Sequence, residues 1–346
     1  MTPASDIAAP TRILVVQTAF LGDVVLTTPL LEALRSQYPK ARLALLTTPA
    51  GAELLRGLPA LHELIPFDKR RREKGAAATL ALARKLRGMN FDLAVCPHRS
   101  ARSALLLALA RIPCRIGFAD SALPWLFHRA VVRDKNRHEV LRNLQLLEEL
   151  AGPLDGFQPH LSLVPPQSFH PEGLGLSGNG RRVGLCPGSV WATKRWPARS
   201  YAELAGRLQN QFQAKVFLLG SPEDRAVARE VESLCGRPVV NLAGRTTLPE
   251  LVGVIDRMNL VVSNDSAPVH IAAARQVPVV AIFGPTVPAQ GFTPFHERSA
   301  VAEIPLPCRP CGAHGPRACP LGHFKCMKEL KPERVLERVE PFLSGA

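Results

Sequence analysis

Residues 260–275, LVVSNDSAPVHIAAAR, decide the fold. The apolar run 260–263 reads as a buried strand, a short polar turn follows, and a helix over 267–274 opens directly from the turn. Asp265 or Ser266 can cap that helix, and Pro268 suits its first turn because a proline there loses no helical hydrogen bond. Backbone N–H groups left free at such a helix start, together with the positive end of the helix dipole, bind anions. The stretch therefore reads either as an ordinary capped helix of an α/β domain or as a phosphate site at the end of a strand.

The same unit recurs in both directions along the chain. Strands are expected at 182–186, 215–219, 238–241 and 277–283, with helices at 198–212, 223–234 and 248–258. The first half repeats the alternation, with strands at 12–17, 42–46, 63–67, 91–96 and 114–118 and helices at 23–38, 50–56, 76–89, 100–110 and 137–150. Strand and helix in turn imply parallel sheets covered on both faces. The expected architecture is α/β: two Rossmann-like doubly wound domains with an interdomain cleft. The N-terminal domain spans 1–165, a Pro-, Gly- and Ser-bearing linker 166–181, and the C-terminal domain 182–330. That second domain includes a Cys-rich segment at 305–327, and a last helix occupies 331–346.

Composition narrows the function classes. At 346 residues the chain suits two domains of common size, and 46% hydrophobic with 21% charged residues is a globular composition. Its apolar stretches are broken well short of the roughly 20 residues of a membrane helix. Residues 1–10 lack the basic start and apolar core of a signal peptide, so a cytoplasmic location is expected. Of the net charge of +14, +9 falls in residues 1–150, densest in DKRRREK at 68–74. That run is a solvated loop or a contact for an anionic partner. With 5% aromatic residues and none interleaved among these charges, base stacking has little support, and no nucleic-acid partner is expected.

Two turns can carry chemistry. TAFLGD at 18–23 follows the first strand: Gly22 permits a tight turn, and Asp23 stands at the top of the sheet, either as a helix cap or as a carboxylate that takes a proton from a hydroxyl. PGSVWATKRWP at 187–197 follows the first strand of the second domain. There Gly188 and Ser189 allow close ligand approach, and Lys194 and Arg195 can neutralise phosphate oxygens. Neither a dinucleotide fingerprint nor a Walker pattern is present.

Taken in order, LGDVVLTTPLLEAL (21–34), PGSVWATKRWP, NLAGRTTLPEL (241–251), NDSAPVHIAAA (264–274), VPVVAIFGPTVP (277–288) and CPLGHFKCM (319–327) resemble glycosyltransferase family 9 over nearly the whole chain. These are the ADP-heptose:lipopolysaccharide heptosyltransferases, and the second-heptose members are the most similar. The resemblance implies a GT-B fold, with acceptor on the first domain and sugar nucleotide mainly on the second. It implies Asp23 as general base and Lys194 at the donor phosphates. Asp265, Ser266 and Ala267 match the diphosphate turn, where many relatives have glycine at the position of Ala267. The remaining donor contacts expected by likeness are Thr18, Gly22, Ser189, Glu223, Gly244, Thr246 and His270.

The implied reaction is inverting transfer from ADP-L-glycero-D-manno-heptose to the lipopolysaccharide inner core, with no cofactor required for catalysis. The implied partners are ADP-heptose and a lipid-anchored, phosphorylated inner-core acceptor on an anionic membrane surface. The enzyme would then be peripheral on the inner face of the inner membrane, with Arg70, Arg71, Arg72, Arg99 and Arg102 as acceptor or membrane contacts. Other family members act on a first or third heptose or on a protein. A non-catalytic nucleotide- or anion-binding module would use the same helix start but has no need of Asp23.

Cys308, Cys311, Cys319 and Cys326 form the last candidate site. A C-x-x-C pair with two further cysteines can supply four thiolates to a structural zinc or iron; free thiols and disulfides are the competing readings.

Overall fold

The computed structural model describes residues 9–69 and 73–344. The chain divides into two units, Met1–Ser162 and Leu163–Ala346. In the first, β1 (Arg12–Gln17), β2 (Arg42–Thr47), β3 (Glu63–Pro66), β4 (Leu93–Cys96), β5 (Cys114–Phe118) and β6 (Arg129–Val131) form one sheet in the order β3-β2-β1-β4-β5-β6. In the second, β7 (Arg182–Cys186), β8 (Lys215–Leu218), β9 (Val240–Asn241), β10 (Leu260–Asn264), β11 (Val279–Ile282) and β12 (Ser299–Ala302) are ordered β12-β11-β10-β7-β8-β9. Every pairing in both sheets is parallel.

The two orders are the same topology. From its first strand the chain adds neighbours on one side, then returns to the other side of that strand, so β1 lies beside β4 and β7 beside β10. At these two places consecutive connections diverge to opposite faces, leaving room at the carboxyl ends of the strands for a ligand. The interior strands are buried on both faces, which is why β1 (RILVVQ) and the start of β10 (LVV) are continuous apolar runs and not alternating ones.

Each sheet has its own core. Leu14, Val16, Leu46, Ala94 and Leu107 belong to the first; Val183, Leu185, Tyr201, Val262 and Ile282 belong to the second. The terminal helix Pro332–Leu343 is part of the second core, through Val335, Leu336, Val339 and Leu343. Each such side chain stabilises the unit by roughly 1.5–3 kcal/mol through burial.

Three local differences from the sequence reading have physical causes. The helix expected over 23–38 is two helices, Leu21–Val25 and Thr28–Gln37. Pro29 cannot donate to the carbonyl of Val25, and the hydroxyls of Thr27 and Thr28 take the carbonyls of Asp23 and Val25, both at 2.8 Å. The helix expected from 223 opens as a 3-10 turn, Pro222–Asp224, before Arg225–Leu234. The edge strands β6 and β12 were not expected, being only three and four residues long and partly exposed. Among the described residues no helix is long and apolar enough to cross a membrane.

Candidate active site

In the second unit the loop after β7 and the turn after β10 meet at the point where strand order reverses. Asn264, at the end of β10, fastens them together. Its amide donates to the carbonyls of Pro187 (2.9 Å) and Gly188 (3.2 Å), and its Oδ1 accepts from the backbone N–H of Trp196 at 3.0 Å, with the Tyr201 hydroxyl 3.1 Å away. Both partners are fully buried and stacked edge to face, so the loop has little freedom. Gly188 is required there: a Cβ would lie 2.1 Å from Cγ of Asp224.

This loop carries Lys194 on the 3-10 turn Ala192–Lys194, buried at 9% exposure. Its Nζ lies 2.6 Å from Oδ2 of Asp265, which is 7% exposed, and the hydroxyl of Thr286 donates to the same oxygen at 2.6 Å. The bond to Asp265 takes one of the three N–H donors of the ammonium. Asp265 is therefore an anchor for Lys194 and does not cap the following helix. Ser266 is the N-cap of Ala267–Ala274, but its hydroxyl bonds the carbonyl of Asn264 (3.1 Å) and gives the helix no side-chain cap. A buried cation thus stands beside a helix start whose own N-cap side chain does not satisfy it, an arrangement able to bind an anion such as phosphate.

In the first unit Asp23 occupies the third position of the helix that follows β1, and its Oδ2 accepts from the N–H of Phe20 at 3.2 Å. Capping is real, but it is not all that the position does. Loss of surrounding water raises this half-buried carboxyl to about 6, and the negative charge of Glu139 adds to the rise. The N–H of Phe20 and, more weakly, Arg99 oppose it. Glu139 is held by Arg133 (2.5 Å) and Arg142 (2.9 Å). After β4, on the other side of the same strand reversal, His98 Nδ1 sits 3.1 Å from the Thr18 hydroxyl and 2.7 Å from that of Ser103. Partial burial, with Lys69 and Arg99 nearby, pushes His98 down to about 4, so it is neutral at pH 7. A carboxyl that titrates near 6 is a general base that is ionised, yet still basic, at neutral pH.

The other expected residues fall into place unevenly. Thr18 and Gly22 belong to the first unit, where Thr18 also accepts from Lys69 Nζ at 3.2 Å. Ser189 is buried in the Lys194 loop, its carbonyl taken by Arg195 at 2.9 Å. Glu223 and Gly244 lie on loops that touch, since the N–H of Gly244 donates to Gly220 at 2.9 Å and its carbonyl accepts from Arg225 at 2.6 Å. Gly244 has φ +68° and no room for a Cβ beside Arg225 and Pro222. Thr246 is half-buried next to Thr247, the cap of Leu248–Ile255, and His270 is buried within Ala267–Ala274.

Arg99 is exposed and paired with Asp120 at 2.8 Å. Arg102 is turned inward: it bonds Thr79 and the carbonyls of Lys69, Glu73 and Gly75 and covers the Phe67 ring. Arg70, Arg71 and Arg72 lie outside the described residues.

Among the described residues no three His, Cys, Asp or Glu side chains come together as metal ligands. Cys308, Cys311, Cys319 and Cys326 are free thiols, near enough to one another that Cys311 and Cys326 feel the charge of the others. Cys326 is packed into the second core, and burial pushes its thiol up to about 11. Cys311 donates to the carbonyl of Cys308 at 3.3 Å, and Cys319 accepts from the N–H of Phe324 at 3.4 Å, which lowers its pKa.

Sequence reasoning missed Thr286, His98 and Glu139. Thr286 had a readable signal, because FGPT ends a strand at the same edge as NDS. The other two act through neighbours remote in sequence.

The sequence model of glycosyltransferase family 9 (heptosyltransferase) matches residues 79–320. The chain is 29% identical to the lipopolysaccharide heptosyltransferase 2 of Salmonella typhimurium, over 96% of this chain and 99% of that one. Among solved structures it is similar to the Escherichia coli ADP-heptose LPS heptosyltransferase II, with a TM-score of 0.78, 27% identity and coverage of 96% and 99%. A family 9 glycosyltransferase from Veillonella parvula shares the fold at a TM-score of 0.87, with 23% identity and coverage of 97% and 98%. With a family match across most of its length and two doubly wound units of the GT-B kind, the chain belongs to glycosyltransferase family 9 and is a glycosyltransferase.

Proposed function

We propose that this protein is an inverting heptosyltransferase that moves heptose from ADP-L-glycero-D-manno-heptose to the lipopolysaccharide inner core, adding the second heptose. The donor and the acceptor are taken from the relatives' names and from the motifs shared with the family. The observation that carries the chemistry is the Asp23 carboxyl, raised to about 6 where strand order reverses in the first sheet. Asp23 takes the proton of an acceptor hydroxyl, and the oxygen displaces ADP from the anomeric carbon with inversion.

A positioned base contributes roughly 10²- to 10⁴-fold. The charge that grows on the departing diphosphate is met by Lys194 and the start of helix Ala267–Ala274, groups already in place before reaction. Glu223, Gly244 and Thr246, on the neighbouring loops, would hold the nucleoside. Arg99 remains a candidate for an anionic group of the acceptor or of the membrane surface at which a lipid-anchored acceptor is met. No step requires a metal.

Incubation with ADP-heptose and defined inner-core acceptors, followed by mass and linkage analysis, tests the reading. Heptose added only to a mono-heptosylated acceptor supports it. Transfer to an acceptor lacking heptose reassigns the position, and absence of transfer to every such acceptor removes the proposal.

A further inference from the structure

The Cys-rich segment grips the loop that carries Lys194 and the loop that carries Thr286, the two side chains that meet on Asp265. On one side it takes three successive carbonyls of the loop after β11. Arg309 Nε donates to Gly284, the N–H of Cys311 to Pro285 at 2.8 Å, and Arg309 Nη2 to Thr286 at 2.6 Å. Arg309 also binds the carbonyl of Ile304 (2.5 Å) and the carboxylate of Glu303 (2.6 Å), with its guanidinium side chain 3% exposed. On the other side the hydroxyl of Thr193, immediately before Lys194, donates to the carbonyl of Pro316 at 2.5 Å, and the Trp191 ring stacks on His314. Gly315, at φ +79°, lies where the two loops come closest to the segment: a Cβ there would be 2.9 Å from Pro285 and 3.3 Å from the Thr193 hydroxyl.

From this arrangement we infer that Thr286 is a positioning residue of the donor-phosphate site, and that Arg309 holds it there. Thr286 puts its hydroxyl on the Asp265 oxygen that also receives Lys194, so the carboxylate has a fixed direction and the ammonium is aimed by it. Arg309 fixes the backbone of Thr286 from the far side. A planar guanidinium with five donors in a fixed fork takes the carbonyls of Gly284, Ile304 and Thr286 and the Glu303 carboxylate at once, four acceptors against the three donors of a lysine. The Cys-rich segment thereby has a function that needs no metal: it sets the geometry of the phosphate site through hydrogen bonds to main chain. The inference rests on the proposal that Lys194 meets the donor diphosphate.

Calorimetric titration with ADP, together with steady-state kinetics, tests it on Thr286→Val, Thr286→Ser and Arg309→Lys in the full chain. Thr286→Val keeps the shape and removes the hydroxyl. A hydrogen bond to a charged group is worth enough that ADP affinity should fall about 10- to 100-fold, with a matching rise in the KM for donor. The acceptor KM should stay at its wild-type value, because the acceptor is assigned to the other unit, while loss of a buried hydrogen bond lowers the thermal midpoint by a few degrees. Thr286→Ser should restore ADP binding to within about threefold of wild type. Arg309→Lys should weaken ADP binding in the same direction, and if that variant fails to fold, the two Thr286 variants decide alone. Wild-type ADP affinity in Thr286→Val, or an equal rise in donor and acceptor KM, overturns the inference and leaves the donor site standing. A wild-type protein that binds no ADP overturns the donor reading and the inference with it.

Discussion

Asp23 and Asp265 stand just beyond interior strands of two sheets with the same strand order, yet they have opposite electrostatic surroundings. Asp265 is gripped on one oxygen by an ammonium and a hydroxyl, each at 2.6 Å. Asp23 takes one backbone N–H at 3.2 Å and has Glu139 near enough to raise its pKa further, with Arg99 only partly compensating. Asp265 is tied to its partners and serves as an anchor; Asp23 has few partners, which suits the base role proposed for it. The two carboxylates follow different strands at the reversal points of one topology, and they differ because of what the neighbouring elements contribute. In the first unit that is Glu139, at the start of helix Glu139–Ala151; in the second it is Lys194, on the loop after β7.

The largest effect should come from removing the base. Asp23→Ala should lower kcat by roughly 10²- to 10⁴-fold with little change in ADP affinity, measured by single-turnover transfer. A variant with near wild-type turnover would break the contrast, since Asp23 would then be a cap like any other.

Next is Lys194→Met, expected to lower kcat by about 10²- to 10³-fold and to weaken ADP binding. It also leaves Asp265 buried without its cation, which destabilises by about 3–5 kcal/mol. Pairing it with Asp265→Asn separates the two effects. The double variant should regain much of the thermal stability but none of the ADP affinity. Recovery of both would mean that Lys194 serves only the pair.

A smaller, graded effect is the acid limb of the rate profile. Below about pH 6 the Asp23 carboxyl is protonated, so kcat/KM should fall about tenfold per pH unit. Glu139→Gln removes a charge that raises Asp23 and should move the limb to lower pH. A limb that stays in place would show that hydration alone sets the value.

Most of the architecture was legible because parallel sheets place continuous apolar runs between helical periods, and LVVSNDSAPVHIAAAR contains all three parts of one such unit. The limits were equally physical. Short edge strands such as Arg129–Val131 bury too little to leave a pattern, and the break at Leu26–Thr27 depended on a single proline and two threonine hydroxyls. In the candidate site, Asp23, Lys194 and Asp265 lie on segments that follow strands and could be read from the sequence. Residues that surround it could not, because Glu139 acts on Asp23 across 116 residues of sequence and Arg309 holds the carbonyl of Thr286 across 23. The four cysteines mark a further limit of what a sequence can show. C-x-x-C spacing is local, whereas ligation requires four side chains to converge, and Cys326 is committed to the apolar core.

The smallest expected effect is on stability, and it reverses the usual sign of a damaging substitution. Asp23 has a folded pKa of about 6 against an ordinary value of 3.8, so the native state binds the proton more tightly than the unfolded chain does. Unfolding therefore becomes easier as pH rises from about 4 to about 6, and the deficit persists above that window. Asparagine carries no such charge. Asp23→Asn should match the wild type at pH 4 and exceed it by about 1–2 kcal/mol at pH 7 in urea unfolding, less than the full shift implies because the group is only half-buried. An inactive variant that is more stable at pH 7 and indistinguishable at pH 4 would show that the fold is held against its own preference to keep a base at Asp23. Equal stability at both pH values would mean that the carboxylate is solvated like a surface cap, and the distinction from Asp265 would rest on Lys194 alone.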